Sequence, residues 1–253
     1  MNGNDGDIGT GNGEGRKVFQ RELDVVRAEI VRLAALTTEV IPRGTEVLLS
    51  MDLEAAQHLI EDDDVVDALT IEIEDRCDHL LTLQQPVASD LREVVTALRL
   101  TAEIERSADL MVNVAKAMRR MYGTELTPKL SGLIERMSEE AGRLFRLAID
   151  AYVERNAALA SAIGDMDDRL DELSSDFVHA VFAAHDAGAG LPLQACVQLA
   201  LIGRYYERIG DHAVNISERV TFMVTGWRPE QNGAARVRVR EAHAFERAGE
   251  PRR

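Results

Sequence analysis

The chain has 253 residues, 29 of them basic and 44 acidic, for a net charge of −15, and 45 % of its side chains are apolar. That is enough apolar material for one large core or two modest ones, and too much for a disordered protein. So acidic a chain lacks the clustered Lys and Arg that a phosphate backbone requires, which excludes nucleic acid as a partner.

Residues 1–15 carry three acids and no base, whereas 226–253 carry seven Arg against four Glu, so the two ends cancel and the excess of acid belongs to 16–225. A body of that charge repels anions and attracts metal cations. Cys77 and Cys196 are the only cysteines and lie too far apart for a Cys-x-x-Cys motif, which fits a reducing compartment. No apolar run approaches the ~18–20 residues of a membrane span, and the N-terminus lacks a basic and apolar leader. A soluble, cytoplasmic protein is expected.

In chain order, residues 1–15 are glycine-rich and polar and predict a disordered tail, since they cannot bury enough surface to offset their ordering entropy. Their glycines do not form a nucleotide fingerprint, because no strand precedes them. From Arg16 onward apolar residues recur every three or four positions, with Gly and Pro at a few punctuation points, and strand-like alternation is missing. Six helices are predicted. The first spans about 16–51 and is interrupted or kinked near Pro42. The second starts at the N-cap Asp52 and fades at Gln84-Gln85-Pro86. The third spans about 89–122, before Gly123. The fourth begins at Thr127-Pro128, a cap followed by an N1 proline, and ends near Asn156. The fifth spans about 157–186, and the sixth about 193–225, after the loop Gly188-Ala189-Gly190-Leu191-Pro192. Helices of about 30 residues are about 45 Å long. The Arg-rich segment 226–253 predicts a second disordered tail.

The helices repeat. Glu105-Arg106-Ser107-Ala108-Asp109 followed by Val112-Asn113 matches Glu207-Arg208-Ile209-Gly210-Asp211 followed by Val214-Asn215 at an offset of 102. Asp63, Asp67 and Leu69 match Asp167, Asp171 and Leu173 at an offset of 104. The fold class is therefore all-α, two tandem three-helix bundles over 16–123 and 127–225.

Within each matched pair the acids are four apart: Asp63 and Asp67, Glu105 and Asp109, Asp167 and Asp171, Glu207 and Asp211. That spacing stacks like charges on one helix face, which destabilises a helix unless something compensates. A solvated acidic face is one reading. Against it, these rows continue through Leu59, Ile71, Ala102, Val112 and Ile163, and apolar rows of that kind usually face a partner helix. If the second and third helices of each repeat pack together, four carboxylates converge, and a cation relieves them. All-oxygen ligation suits Mg²⁺, Ca²⁺, Mn²⁺ or iron better than zinc. A di-iron oxidase needs a Glu-x-x-His on each of two helices. The nearest approach, Asp176-x-x-His179, has no repeated partner.

The stretch from Glu207 to Ile216, its weaker copy at 105–115, and Gln85-Pro86-Val87-Ala88-Ser89-Asp90-Leu91-Arg92 together resemble the PhoU family of phosphate-signalling regulators, over about 16–225. The resemblance implies two three-helix bundles whose (Glu/Asp)-x-x-x-Asp motifs hold multinuclear iron or other divalent metals, manganese, magnesium or zinc among them. It assigns the ligand role to Asp63, Asp67, Glu105, Asp109, Asp167, Asp171, Glu207 and Asp211. It further implies a cytoplasmic, non-catalytic adaptor between the phosphate ABC transporter ATPase and a sensor histidine kinase, a negative regulator that meets the membrane only through these partners. The oligomeric state, a homodimer among the options, stays open. The competing expectations are a metal-free helical scaffold and, further off, a carboxylate-bridged di-metal oxidase.

Among neighbouring residues, Arg106 and Arg208 are expected as counter-ions to the acids rather than phosphate binders. His212, about 100° around the helix from Asp211, is expected outside direct ligation. Gly210 is expected to permit close helix approach, and Tyr205 and Tyr206 to pack in the core or at a groove edge.

Overall fold

The computed structural model describes residues 10–84, 86–186 and 191–227. Its helices are α1 (Thr10–Ser50), α2 (Leu53–Gln84), α3 (Ala88–Arg120), α4 (Pro128–Val153), α5 (Ala157–Met166), α6 (Asp168–Asp186) and α7 (Leu193–Thr225), and among the described residues there is no strand. Caps set the boundaries. Asp52 Oδ1 accepts the backbone N–H groups of Glu54 and Ala55, both at 2.9 Å, and opens α2. Thr127 and Asn156 do the same for α4 and α5, at 3.3 and 3.0 Å. Gly226, at a left-handed φ of 76°, closes α7 by donating its N–H to Phe222 O.

The two-bundle, all-helical architecture is as expected, with three differences. Helix α1 starts at Thr10, so residues 10–15 of the expected tail are helical, while 1–9 and 228–253 lie outside the described residues. Helix α1 also continues through Pro42. The expected fifth helix is divided at Asp167 into α5 and α6. There Asp167 O accepts from Leu170 N at 2.8 Å, the start of a new helix, whose first turn carries Asp168 and Asp171 where the dipole favours negative charge.

Helix α3 packs on α1, α2 and α7, and α7 packs on α3, α4, α5 and α6. These two helices are thus the axes of the two repeats, and they also lie against each other. One continuous core links both halves, from Ile30, Leu33 and Ile41 of α1 through Leu100 and Ile104 of α3 to Phe145 of α4 and Ile209 of α7. Thr45 Oγ1 shares hydrogen bonds with Ser138 Oγ and Tyr206 Oη, each 2.7 Å long and buried, and so ties α1 to α4 and α7.

Candidate metal centres

Helices α2 and α3 pack along their length and bring the first two acid ladders side by side. Asp63 and Glu105 are half-buried, while Asp67 and Asp109 reach further into solvent. Burial first, and then the charges of Asp109 and Asp67, push the Asp63 carboxyl up to about 6. Glu105 is raised by burial and by Asp109, Asp67 and Asp63, and Asp109 by burial and Asp67. Lys116 opposes the trend at Asp63 and Asp109. Asp63 also lines a cleft of about 200 Å³ between α1, α2 and α3, with Arg43 bound to the adjacent Asp62 at 2.6 Å.

The second group forms where α7 crosses the α5–α6 break. Asp167 is raised to about 6 by burial, then by Asp171 and Asp211, with smaller contributions from Asp168 and Glu207. Gly210 makes this approach possible: a Cβ there would fall 2.7 Å from Leu170 Cδ2 and closer still to Asp167 Oδ1. That Asp167 oxygen is buried and accepts no hydrogen bond. Ser174 Oγ donates to Glu207 Oε2 at 3.1 Å. Arg204 pairs with Glu207, and with Asp211 at 3.4 Å.

The eight predicted acids therefore gather as two groups of four, one in each repeat. Among the described residues no three acid, His or Cys side chains already converge closely enough to ligate one ion, so ligation requires the carboxylates to turn toward each other. The donors fit a hard cation: every one is a carboxylate oxygen, their charges oppose one another, and the orphaned Asp167 oxygen lacks a partner.

One neighbour, Arg208, differs from expectation. Arg208 is exposed and makes no ion pair among the described residues, and the counter-ion of the second group is Arg204. Arg204 stands three residues before Glu207 and seven before Asp211, so one guanidinium reaches both acids. His212 is only 5 % exposed, and its Nδ1 lies 2.6 Å from Glu103 Oε2. Asn215 Nδ2 donates to the same oxygen at 3.1 Å. Burial raises Glu103, and these two bonds together with the electrostatic pull of His212 and Arg106 more than offset it, so its carboxyl falls below the usual range. This bridge joins the motif segment of α3 to that of α7. It escapes the repeat comparison because Tyr205 occupies the place of Glu103 in the second copy and Leu110 that of His212 in the first. Tyr206 is fully buried in the core, as expected.

A duplicated three-helix repeat with a carboxylate cluster between the axial helix of each repeat and its neighbour defines a class of tandem-repeat helical-bundle proteins. The PhoU domain model matches residues 30–118 and 134–220. A Mycobacterium tuberculosis protein described as phosphate-specific transport system accessory protein PhoU homolog 1 is 32 % identical over 86 % of this chain and 97 % of its own length. The PhoU homolog of Clostridium acetobutylicum is 29 % identical over 86 % of this chain and 99 % of its own. The crystal structure of the phosphate transport system regulatory protein PhoU from Streptococcus pneumoniae superposes with a TM-score of 0.75 at 25 % identity, over 83 % of this chain and 98 % of that one. The chain belongs to the PhoU family.

Proposed function

We propose that this protein is a metal-loaded, non-catalytic accessory and negative regulator of a phosphate ABC transporter, and that it acts in the cytoplasm on the transporter ATPase and a sensor histidine kinase. The observation that carries the metal part is the gathering of four mutually repelling carboxylates in each repeat, with Asp63 and Asp167 held near pKa 6 and one Asp167 oxygen left without a hydrogen bond. The accessory role rests on the relatives, which are described as transport-system accessory proteins.

In this reading Asp63, Asp67, Glu105 and Asp109 hold one centre, and Asp167, Asp171, Glu207 and Asp211 the other. The bound cations, iron, manganese, magnesium or zinc, supply positive charge that cancels the repulsion and fixes the spacing of α2 to α3 and of α6 to α7. The chain's own residues do the rest. Gly210 lets α7 approach Asp167, Arg204 partly neutralises the second group, and the Glu103–His212 bridge sets the two axial helices against each other. No helix among the described residues is long and apolar enough to cross a membrane.

Two measurements test the proposal. Elemental analysis of protein purified without chelator is expected to find metal, reduced by about half in Glu105→Ala with Asp109→Ala; metal-free, fully folded wild type would instead support a plain scaffold. Affinity capture from phosphate-replete cells is expected to recover the transporter ATPase and the sensor kinase, and recovery of neither would refute the adaptor role.

A further inference from the structure

A cleft of about 490 Å³ opens where the two repeats meet, between α1, α3, α4 and α7, away from both acid groups. Its size lies in the ~300–1,000 Å³ range of pockets that take small organic ligands. The walls are apolar, formed by Ala28 and Val31 of α1, Val153 at the end of α4 and Met223 of α7. Val31 is 41 % exposed and Val153 57 %, so both present apolar surface to an occupant of the cleft.

The charged side of the cleft has a built architecture. Glu93 is 6 % exposed and shared by two guanidinium groups. Arg27 holds its Oε1 through Nε and Nη2, both at 2.5 Å, and Arg155 holds its Oε2. Both carboxylate oxygens are therefore engaged. Arg155 sits between α4 and α5 at a left-handed φ of 53°, a conformation unfavourable for arginine that turns its side chain to this place. Glu93 is its one ion-pair partner among the described residues, so most of its five N–H donors are uncommitted. Beside it, Tyr152 is 5 % exposed, and its hydroxyl makes no hydrogen bond although Glu93, Arg27 and Arg155 all act on it electrostatically. A buried hydroxyl without a partner costs stability, and a ligand acceptor would supply what it lacks.

The cleft thus offers surplus donors, a carboxylate engaged at both oxygens, and apolar walls. In a chain of net charge −15 an anion gains nothing from the long-range field, so a local pair of arginines is what an anion site here would require. We propose that this cleft binds a small organic anion, with its phosphoryl or carboxylate head against Arg155 and the Tyr152 hydroxyl and its apolar body between Val31, Val153 and Met223.

The test is calorimetric titration of the full chain, stripped of metal and freed of chelator, with 1-naphthyl phosphate, 1-naphthoate and inorganic phosphate. At least one naphthyl probe should bind saturably with one-to-one stoichiometry, at least tenfold more tightly than inorganic phosphate. Arg155→Gln should weaken it at least tenfold and Tyr152→Phe severalfold. The second variant loses only an unpaired hydroxyl and stays folded, which keeps the test valid if the first does not. Glu105→Ala with Asp109→Ala should bind as wild type does, so the outcome is independent of the metal proposal. The inference is overturned by absence of saturable binding, by affinity unchanged in both cleft variants, by inorganic phosphate binding as tightly as the naphthyl probes, or by loss of binding in the acid-cluster variant.

Discussion

Gly210 and Ala108 occupy the same place in the two repeats, and the difference between them is one methyl group. The Ala108 side chain is buried without conflict, whereas a methyl on Gly210 would collide with Leu170 Cδ2 at 2.7 Å and with Asp167. Leu170 is fully buried in the first turn of α6, so its side chain can give way only by displacing its core neighbours, while Asp167 Oδ1 must swing aside. Gly210→Ala is therefore expected to destabilise the protein by about 1–3 kcal/mol, as overpacking does, measured by urea unfolding. The carboxylates carry a second consequence. Asp63 has a folded pKa near 6, above its ordinary value of 3.8, so the folded state binds the extra proton between those two values. Stability from this group is complete below pH 4 and is lost as the pH rises through 6. For metal-free protein, Asp63→Asn is expected to raise stability at pH 7 by about 1 kcal/mol, allowing for solvent screening, and to change little at pH 4. Denaturant titrations at the two pH values check the sign. Equal effects at both would show that Asp63 carries no excess repulsion.

Helix α1 passes through Pro42, although a proline removes an internal hydrogen bond and crowds the preceding turn. Its tolerance comes from tertiary packing, because Ile41 and Leu48 on the same helix are fully buried and hold both segments to one core. The side chain of Pro42 itself faces solvent, so Pro42→Ala should lose no packing. A proline in a helix interior costs ~3 kcal/mol, and its removal loosens the unfolded chain by ~0.4–1 kcal/mol, so the variant should gain about 2 kcal/mol in thermal unfolding. The apolar spacing and the caps Asp52 and Thr127 made most helix boundaries legible in the sequence. The break at Asp167 was not, because nothing local forbids a helix there. The division lies where Gly210 brings α7 onto Asp167 and Leu170, contacts of high sequence separation. The acid ladders were legible because they repeat. Arg204 and the Glu103–His212–Asn215 bridge were not, since each occurs once and helical phase or tertiary contact alone reveals it. The cleft beside Tyr152 depends on four helices meeting, and no pattern within any one of them announces it.

At the scale of the molecule the repeats are joined too closely to behave as separate domains. The core is continuous, α3 lies against α7, and buried polar links at Thr45, Glu93 and Glu103 each cross from one half to the other. Thr45 is the most constrained of these, since its oxygen serves both Ser138 and the fully buried Tyr206. Thr45→Val keeps the shape and orphans both hydroxyls, for an expected loss of about 2–4 kcal/mol. Because the halves share one core, the loss should appear as a shift of one cooperative transition, with circular dichroism and the fluorescence of Trp227, the only tryptophan, moving together. The same coupling governs the response to metal. If each repeat binds cations through its own four carboxylates, saturation of one site at about 100 times its dissociation constant adds about 2.7 kcal/mol to the stability of the whole chain, not of one half. Manganese or ferrous iron added to metal-free wild type should thus raise the single transition temperature. Glu105→Ala with Asp109→Ala should retain about half of the rise, since the second cluster stays intact. Two separated transitions, with only one responding to metal, would show that the repeats unfold independently.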